Sequence, residues 1–273
     1  MGGNALADCI AGVHKLTLRC IVVGPAAFRA TATDAGAAEF IESDGPVPAR
    51  RLLGARRAST QWLVLLEDSC KLADTWGVGL AQLNEFAQVD AAAGPIHLAT
   101  SLPPRFIALG CVEYGEFAVG RHTGGLTQRL PGLCIVYRCS AIGRGVADTE
   151  LIEPEIQSRI IEQHRQMQLF AALAVTYDAL DARAARCGMR FTHGRIFGGW
   201  LRRRASLARC AKSVLGAPLL PFLLARRARR GLPANYGAPW RARAHIFFFA
   251  CAWTLGELIG VIVGPGRSVE AWR

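Results

Sequence analysis

Short apolar runs and wider-spaced apolar stripes follow one another along this chain, the pattern of strands alternating with helices. Residues 5–16 put Leu6, Ile10 and Val13 on one helical face. Leu16 to Val23 (LTLRCIVV) then reads as a strand, stopped by the turn signal Gly24-Pro25. A short second strand is expected over Ala37–Ile41, a loop over Gly45–Pro48 and a helix over Ala49–Ser59. Trp62 to Leu66 (WLVLL) is apolar at every position, which predicts a parallel strand buried on both faces. That run stops abruptly at Glu67-Asp68-Ser69, and a helix is expected over Trp76–Phe86.

Beyond it, Pro95–Ala99 reads as a strand and Pro103–Leu109 opens an irregular segment. Gly110–Gly125, rich in glycine and holding Tyr114 and Phe117, has the composition of an active-site loop. Gly132–Arg138 is a strand, and Asp148–Glu155 leads into a helix running to about Gln168. The apolar stretch Phe170–Val175 either continues that helix or is extended. Gly216, Pro218 and Pro221 interrupt Val214–Leu224, so one unbroken helix is not expected there. Ala244–Val263 is long enough to cross a bilayer, but Glu257, Gly256 and Gly260 favour a helix lying in the interface or packed on the protein.

The expected fold is therefore α/β: a doubly wound, mostly parallel Rossmann-type sheet over residues 1–182, then a basic and apolar helical region over 183–273. In such sheets ligands sit beyond the carboxyl ends of the strands, the address of Glu67 and Asp68. An acidic pair at that place also suits a solvated turn or a helix cap.

Composition narrows the picture. Of 273 residues, 51% are hydrophobic and 19% charged, which excludes a disordered chain. The nine cysteines are scattered and include no Cys-x-x-Cys pair, so buried, inert thiols in a reducing compartment are expected rather than a zinc site or disulfide framework. The opening MGGNALADCIAG lacks the basic and apolar regions of a signal peptide. A net charge of +11 calls for an anionic partner. The arginines crowd between apolar stretches after Arg183 (Arg202, Arg203, Arg204, Arg226, Arg227, Arg229, Arg230, Arg241, Arg243), which suits an anionic membrane surface or a plain solvated face better than nucleic acid. Gly115–Gly125 does not have the spacing of a phosphate loop, and the lone His122 and His193 read as structural or surface residues before ligands.

Taken in order, these landmarks resemble the family-two nucleotide-sugar glycosyltransferases. Pro48-Ala49-Arg50-Arg51-Leu52-Leu53-Gly54-Ala55 looks like the family's "aRNxG" helix, with Arg51 and Gly54 matching and Leu52 replacing Asn. Glu67-Asp68-Ser69 is similar to the acidic "DDD" or "EDH" motif, and Trp76 falls where "pgW" opens the next helix. Leu130-Pro131-Gly132-Leu133-Cys134-Ile135-Val136-Tyr137-Arg138 resembles "lpGnNxayrR". Glu153, followed by Ile156 and Ile160, resembles the acid that opens the acceptor-side helix. His193-Gly194-Arg195, Gly256-Glu257-Leu258-Ile259-Gly260 and Gly264-Pro265-Gly266 resemble segments of membrane-associated members.

The resemblance implies a GT-A fold and inverting transfer of a sugar from a nucleotide-sugar donor to a lipid-linked or polysaccharide acceptor. The protein would work at the cytoplasmic face of the inner membrane, peripheral or monotopic. It implies Asp68 as ligand of Mg²⁺ or Mn²⁺, Glu67 on the nucleoside or ribose and Arg51 in the donor site. Glu153 would be the general base, with Glu155 and Asp148 as alternatives one small register error away. The chain departs from the family pattern in lacking its first strand, in Gly24 where an aspartate ends the next strand, and in Ser69, Cys134 and Tyr177. Those departures fit an alternative, an inactive relative acting as a membrane-docked partner in polysaccharide assembly.

Overall fold

A computed structural model of the protein describes residues 2–121, 124–143, 153–178 and 185–272. The elements, in chain order, are α1 (Gly2–His14), β1 (Ile21–Gly24), α2 (Arg29–Asp34), β2 (Glu39–Glu42), α3 (Val47–Arg56), β3 (Trp62–Leu66), β4 (Cys70–Leu72), α4 (Trp76–Leu83), β5 (Val89–Ala93), β6 (Ile96–Leu98) and α5 (Pro104–Tyr114). Then come β7 (Gly125–Thr127), β8 (Cys134–Arg138), α6 (Cys139–Gly143), α7 (Glu153–Glu162), β9 (Gln166–Leu169), β10 (Val175–Tyr177), α8 (Cys187–Arg204), α9 (Leu207–Gly216), α10 (Leu220–Arg229) and α11 (Pro239–Val263). Residues 1–97 with 117–179 form one compact unit, and residues 98–116 with 180–273 form a second. The C-terminal unit thus recruits a segment from the middle of the chain as well as the residues beyond 180.

The first unit is α/β, but its sheets are mixed, which corrects the expectation of a mostly parallel sheet. Five strands lie in the order β3-β8-β5-β9-β7, three in the order β4-β10-β6, and β1 and β2 pair by themselves. β1 with β2 and β5 with β9 run parallel; β3 with β8, β8 with β5, β9 with β7 and β10 with β4 run antiparallel. An unbroken apolar run reports burial and says nothing of strand direction. Even the burial is incomplete: β3 is an edge strand, and all five of its residues are half-exposed. Among the described residues β1 pairs only with β2 and β3 only with β8, so each keeps one edge without a strand partner.

The central strand, β5, is buried at every residue. Its sequence, VDAAA, gives little strand signal because alanine favours helices and Asp90 is polar. Asp90 is nevertheless satisfied. Arg138 donates to it at 3.1 Å, and Arg165 grips it with Nε at 3.0 Å and Nη2 at 2.7 Å. This cluster sits at the Trp62 end of the sheet, because Trp62 pairs with Arg138. A smaller core joins Leu6 and Ile10 of α1 to Ala32 of α2, with Val22, Phe28 and Phe40 against it.

Two further expectations change. Pro103–Leu109 is not irregular, and Gly110–Gly125 is not one loop: α5 runs from Pro104 to Tyr114. Proline in the first turn costs a helix nothing, since that N–H has no intrahelical partner. The helix expected to reach Gln168 stops at Glu162, where His164 adopts a left-handed φ of 55° and the chain enters β9.

In the second unit, α8 and α11 approach so closely that glycine lies at the contact on both sides. A methyl on Gly194 or Gly198 would strike the backbone of Trp253 or Glu257, and one on Gly256 or Gly260 would strike that of Phe191 or Arg195. This is the reciprocal small-residue packing that lets helix backbones touch. Tyr236 adds a 3.0 Å hydrogen bond to the Leu102 carbonyl, and Arg190 forms a buried ion pair with Glu113 of α5. α11 is long and apolar enough to cross a membrane. The interruption expected in Val214–Leu224 is real: α9 and α10 meet at a bend of 81°.

Two glycines separate packing from propensity. Gly12 lies in α1 facing open space, whereas a methyl on Gly94 would collide with the backbone of Leu173 and Ala174. Gly12→Ala should raise the unfolding free energy by about 0.5–1 kcal/mol. Gly94→Ala should lower it by about 1–3 kcal/mol or more. Urea denaturation of both variants checks the pair, and equal effects would contradict the packing.

Candidate active site

Three side chains picked out from the sequence converge at the carboxyl end of β3. Glu67 directly follows that strand and extends its pairing, its N–H donating to the Leu133 carbonyl at 3.0 Å. Arg51 comes from α3, a helix opened by Pro48 in its first turn. Glu153 opens α7, where a carboxylate is favoured by the helix dipole. Arg51 Nη2 donates to Glu67 Oε1 at 2.8 Å, while Nη1 pairs with Glu153 Oε1. A longer contact of 3.5 Å runs from Nη2 to the Gly132 carbonyl. The Arg51 and Glu153 side chains are each 11% exposed and Glu67 is 34% exposed, so the pair with Glu153 is the drier one.

The loop before β8 shapes this corner. A methyl on Gly132 would stand 3.0 Å from Glu153 Oε1, so glycine leaves the carboxylate its place. Gln157, one helical turn beyond Glu153, clasps the buried Leu130 from both sides, its amide donating to the carbonyl at 3.2 Å and accepting from the N–H at 3.1 Å. Those bonds pin α7 to the loop, and with it the position of Glu153. Tyr137 is fully buried; burial first, and the nearby Glu153 charge second, hold its phenol above the ordinary range and keep it neutral.

Asp68 is exposed and makes its influence felt on two neighbours. It adds to the burial that pushes the Cys9 thiol up to about 12. It also opposes the burial that lowers Arg50, on which Asp44 acts in the same sense as Asp68 and Arg51 in the opposite one. Arg50 was not singled out from the sequence. Its Nε is buried with no hydrogen-bond partner among the described residues, a donor that an anion would satisfy. The only sequence signal was its place beside Arg51. Cys70 and Cys134 are raised well above the thiol range by burial, so neither supplies a thiolate nucleophile here.

The other candidates fall elsewhere. Glu155 pairs with Arg159 along its own helix at 2.9 Å. Asp148 and His122 lie outside the described residues. His193 belongs to the second unit, with Arg190 at 3.0 Å and the Trp272 ring 4.6 Å away. Among the described residues no group of three or more His, Cys, Asp or Glu side chains is gathered to hold a metal ion. Chemically, the corner offers one guanidinium group for an anion (Arg50), a second already held by carboxylates (Arg51), and carboxylates at two depths: Asp68 exposed, Glu153 buried and anchored. Compared with known proteins, the chain matches no family model and no curated sequence.

Breaking a buried ion pair leaves an uncompensated charge, while removing both partners does not. Arg51→Met should therefore lower the unfolding free energy by about 3 kcal/mol. Adding Glu153→Met to the same chain should recover part of that loss, with a coupling of about 1 kcal/mol or more by double-mutant cycle. Strictly additive losses in urea denaturation would mean that the two side chains do not depend on each other.

Proposed function

We propose that the protein is an inverting glycosyltransferase with a GT-A-like domain, taking a sugar from a nucleotide-sugar donor to a lipid-linked or polysaccharide acceptor at the cytoplasmic face of the inner membrane. The observation that carries this reading is the convergence of Arg51, Glu67 and Glu153 from three separate elements at the end of β3. Arg50 supplies positive charge that a diphosphate calls for, and its buried Nε is the donor in want of an acceptor.

In the proposed reaction the acceptor hydroxyl oxygen attacks the anomeric carbon from the face opposite the leaving group. The bond from that carbon to the diphosphate oxygen breaks and its electron pair leaves with the nucleoside diphosphate. The hydroxyl proton passes to Glu153 as general base. Glu67 faces the nucleoside or ribose. Asp68, in solvent, suits a single carboxylate ligand for Mg²⁺ or Mn²⁺, ions usually held by one or two carboxylates together with substrate phosphates. When bound, such an ion supplies charge stabilisation to the leaving diphosphate.

A second reading, a membrane-docked relative that no longer transfers sugar, is favoured by Ser69, which offers no carboxylate where the acidic run ends, and by Gly24 at the end of β1. Calorimetry with a panel of nucleoside diphosphates, with and without Mg²⁺, separates the two. Metal-dependent binding that Asp68→Ala weakens at least tenfold is the expected result. Glu153→Gln should keep donor binding and cut transfer by roughly 10²–10⁴-fold. If no nucleoside diphosphate binds under either condition, the transferase reading fails and the inactive one stands.

A further inference from the structure

The exposed apolar residues of the second unit fall together on three helices. α9 is amphipathic yet has no buried residue: Leu207 is 90% and Leu215 82% exposed on its apolar side, and Arg209 and Lys212 are exposed on the polar side that adjoins it. Ser206 caps the helix by accepting from the Arg209 N–H at 3.3 Å, so it is a formed helix whose apolar stripe touches little. Across the 81° bend, α10 buries Ala225 and Ala228 and turns outward Phe222, Leu223, Arg226 and Arg229. The Phe222 ring lies 5.5 Å from that of Phe247, which adjoins the exposed Phe248, so the apolar surface passes from α10 onto α11 without a break.

Along α11 the face away from the glycine contact is apolar and exposed as well. Trp240, Phe248, Leu255 and Ile262 recur near heptad spacing, so they share one stripe about 33 Å long. A surface helix facing water would carry polar residues there. Apolar surface of this extent marks an interaction site. The cations around it (Arg203, Arg209, Lys212, Arg226, Arg229 and Arg243, all exposed) select the partner's charge.

We propose that α9, α10 and the outer face of α11 form a single docking surface for an anionic lipid bilayer. The bent α9–α10 pair lies in the headgroup region with its leucines and Phe222 in the acyl boundary and its arginines on lipid phosphates. The inference deepens the membrane placement proposed above and rests on it, but it does not require nucleotide binding.

The test is co-sedimentation of the full chain with vesicles of phosphatidylcholine alone or mixed with phosphatidylglycerol. Binding should be strong to the mixed vesicles and weak to the neutral ones. Arg226→Gln with Arg229→Gln should weaken it by roughly 30-fold, at about fivefold per cation near an anionic surface. Leu207→Glu with Leu215→Glu should abolish binding even at low salt. Both leucines are solvent-exposed, so the fold, followed by circular dichroism, should not change. Equal uptake by neutral and anionic vesicles would overturn the proposal. So would self-association that the leucine variant abolishes in a chain that binds no vesicle, since that would make the surface an interface between copies. Salt-sensitive binding to single-stranded nucleic acid in place of vesicles would overturn it too. Failure of nucleoside diphosphate binding in the same preparation would touch the transferase reading alone.

Discussion

A largely buried guanidinium holding two carboxylates organises the first unit. Arg51 takes one nitrogen to Glu67 and the other to Glu153, and so joins α3, the end of β3 and the start of α7. Desolvating a cation is expensive, and the attraction to its partners offsets that cost only when the geometry is right. Much around it follows from this demand. Gly132 stays small to leave Glu153 its place, Gln157 ties α7 to the backbone of Leu130, and Tyr137 stays neutral beside the pair. Asp68, one step outside this anchoring, is the exposed carboxylate of the corner.

The sheet separates structural charge from candidate chemistry. At the Trp62 end, Asp90 takes hydrogen bonds from Arg138 and Arg165 and makes the central strand tolerable to bury. At the opposite end, past Leu66, the carboxylates lie where chain segments leave the sheet and helices begin. Past Glu67, whose N–H still bonds to the Leu133 carbonyl, the ladder ends, so side chains from distant parts of the sequence can meet. Among the described residues β1 and β3 each pair on one side only, and a strand edge without a partner invites further pairing.

The second unit solves a different problem. Glycines on α8 and α11 bring two backbones into contact, which fixes one face of α11 through packing alone. Its other face is left apolar, continuous with the exposed side of α10, and studded with arginine nearby. Glu257 adds a polar tie inside this group, accepting from Ser213 at 2.6 Å and from Trp253 at 3.2 Å. That explains how an acid sits within so apolar a helix without being stranded.

Much of this was written in the chain. Trp62–Leu66 is a strand to the residue, α1 and α3 lie close to where helical spacing put them, and the Gly-Pro interruption splits α9 from α10, because these features rest on local periodicity and on residues that break it. Arg51, Glu67 and Glu153 were legible as candidates through their motif-like surroundings. Strand direction was not, since an apolar run looks the same in either sense and pairing depends on partners far along the chain. β5 was invisible because its alanines carry no strand signal and only burial between β8 and β9 makes them one. Nor did any local pattern single out Arg50 or say that α5 belongs with the C-terminal helices. Periodicity and turn chemistry are properties of neighbours in sequence; the meeting of three charges at one corner is a property of the packed chain, decided by which buried charges can be paired.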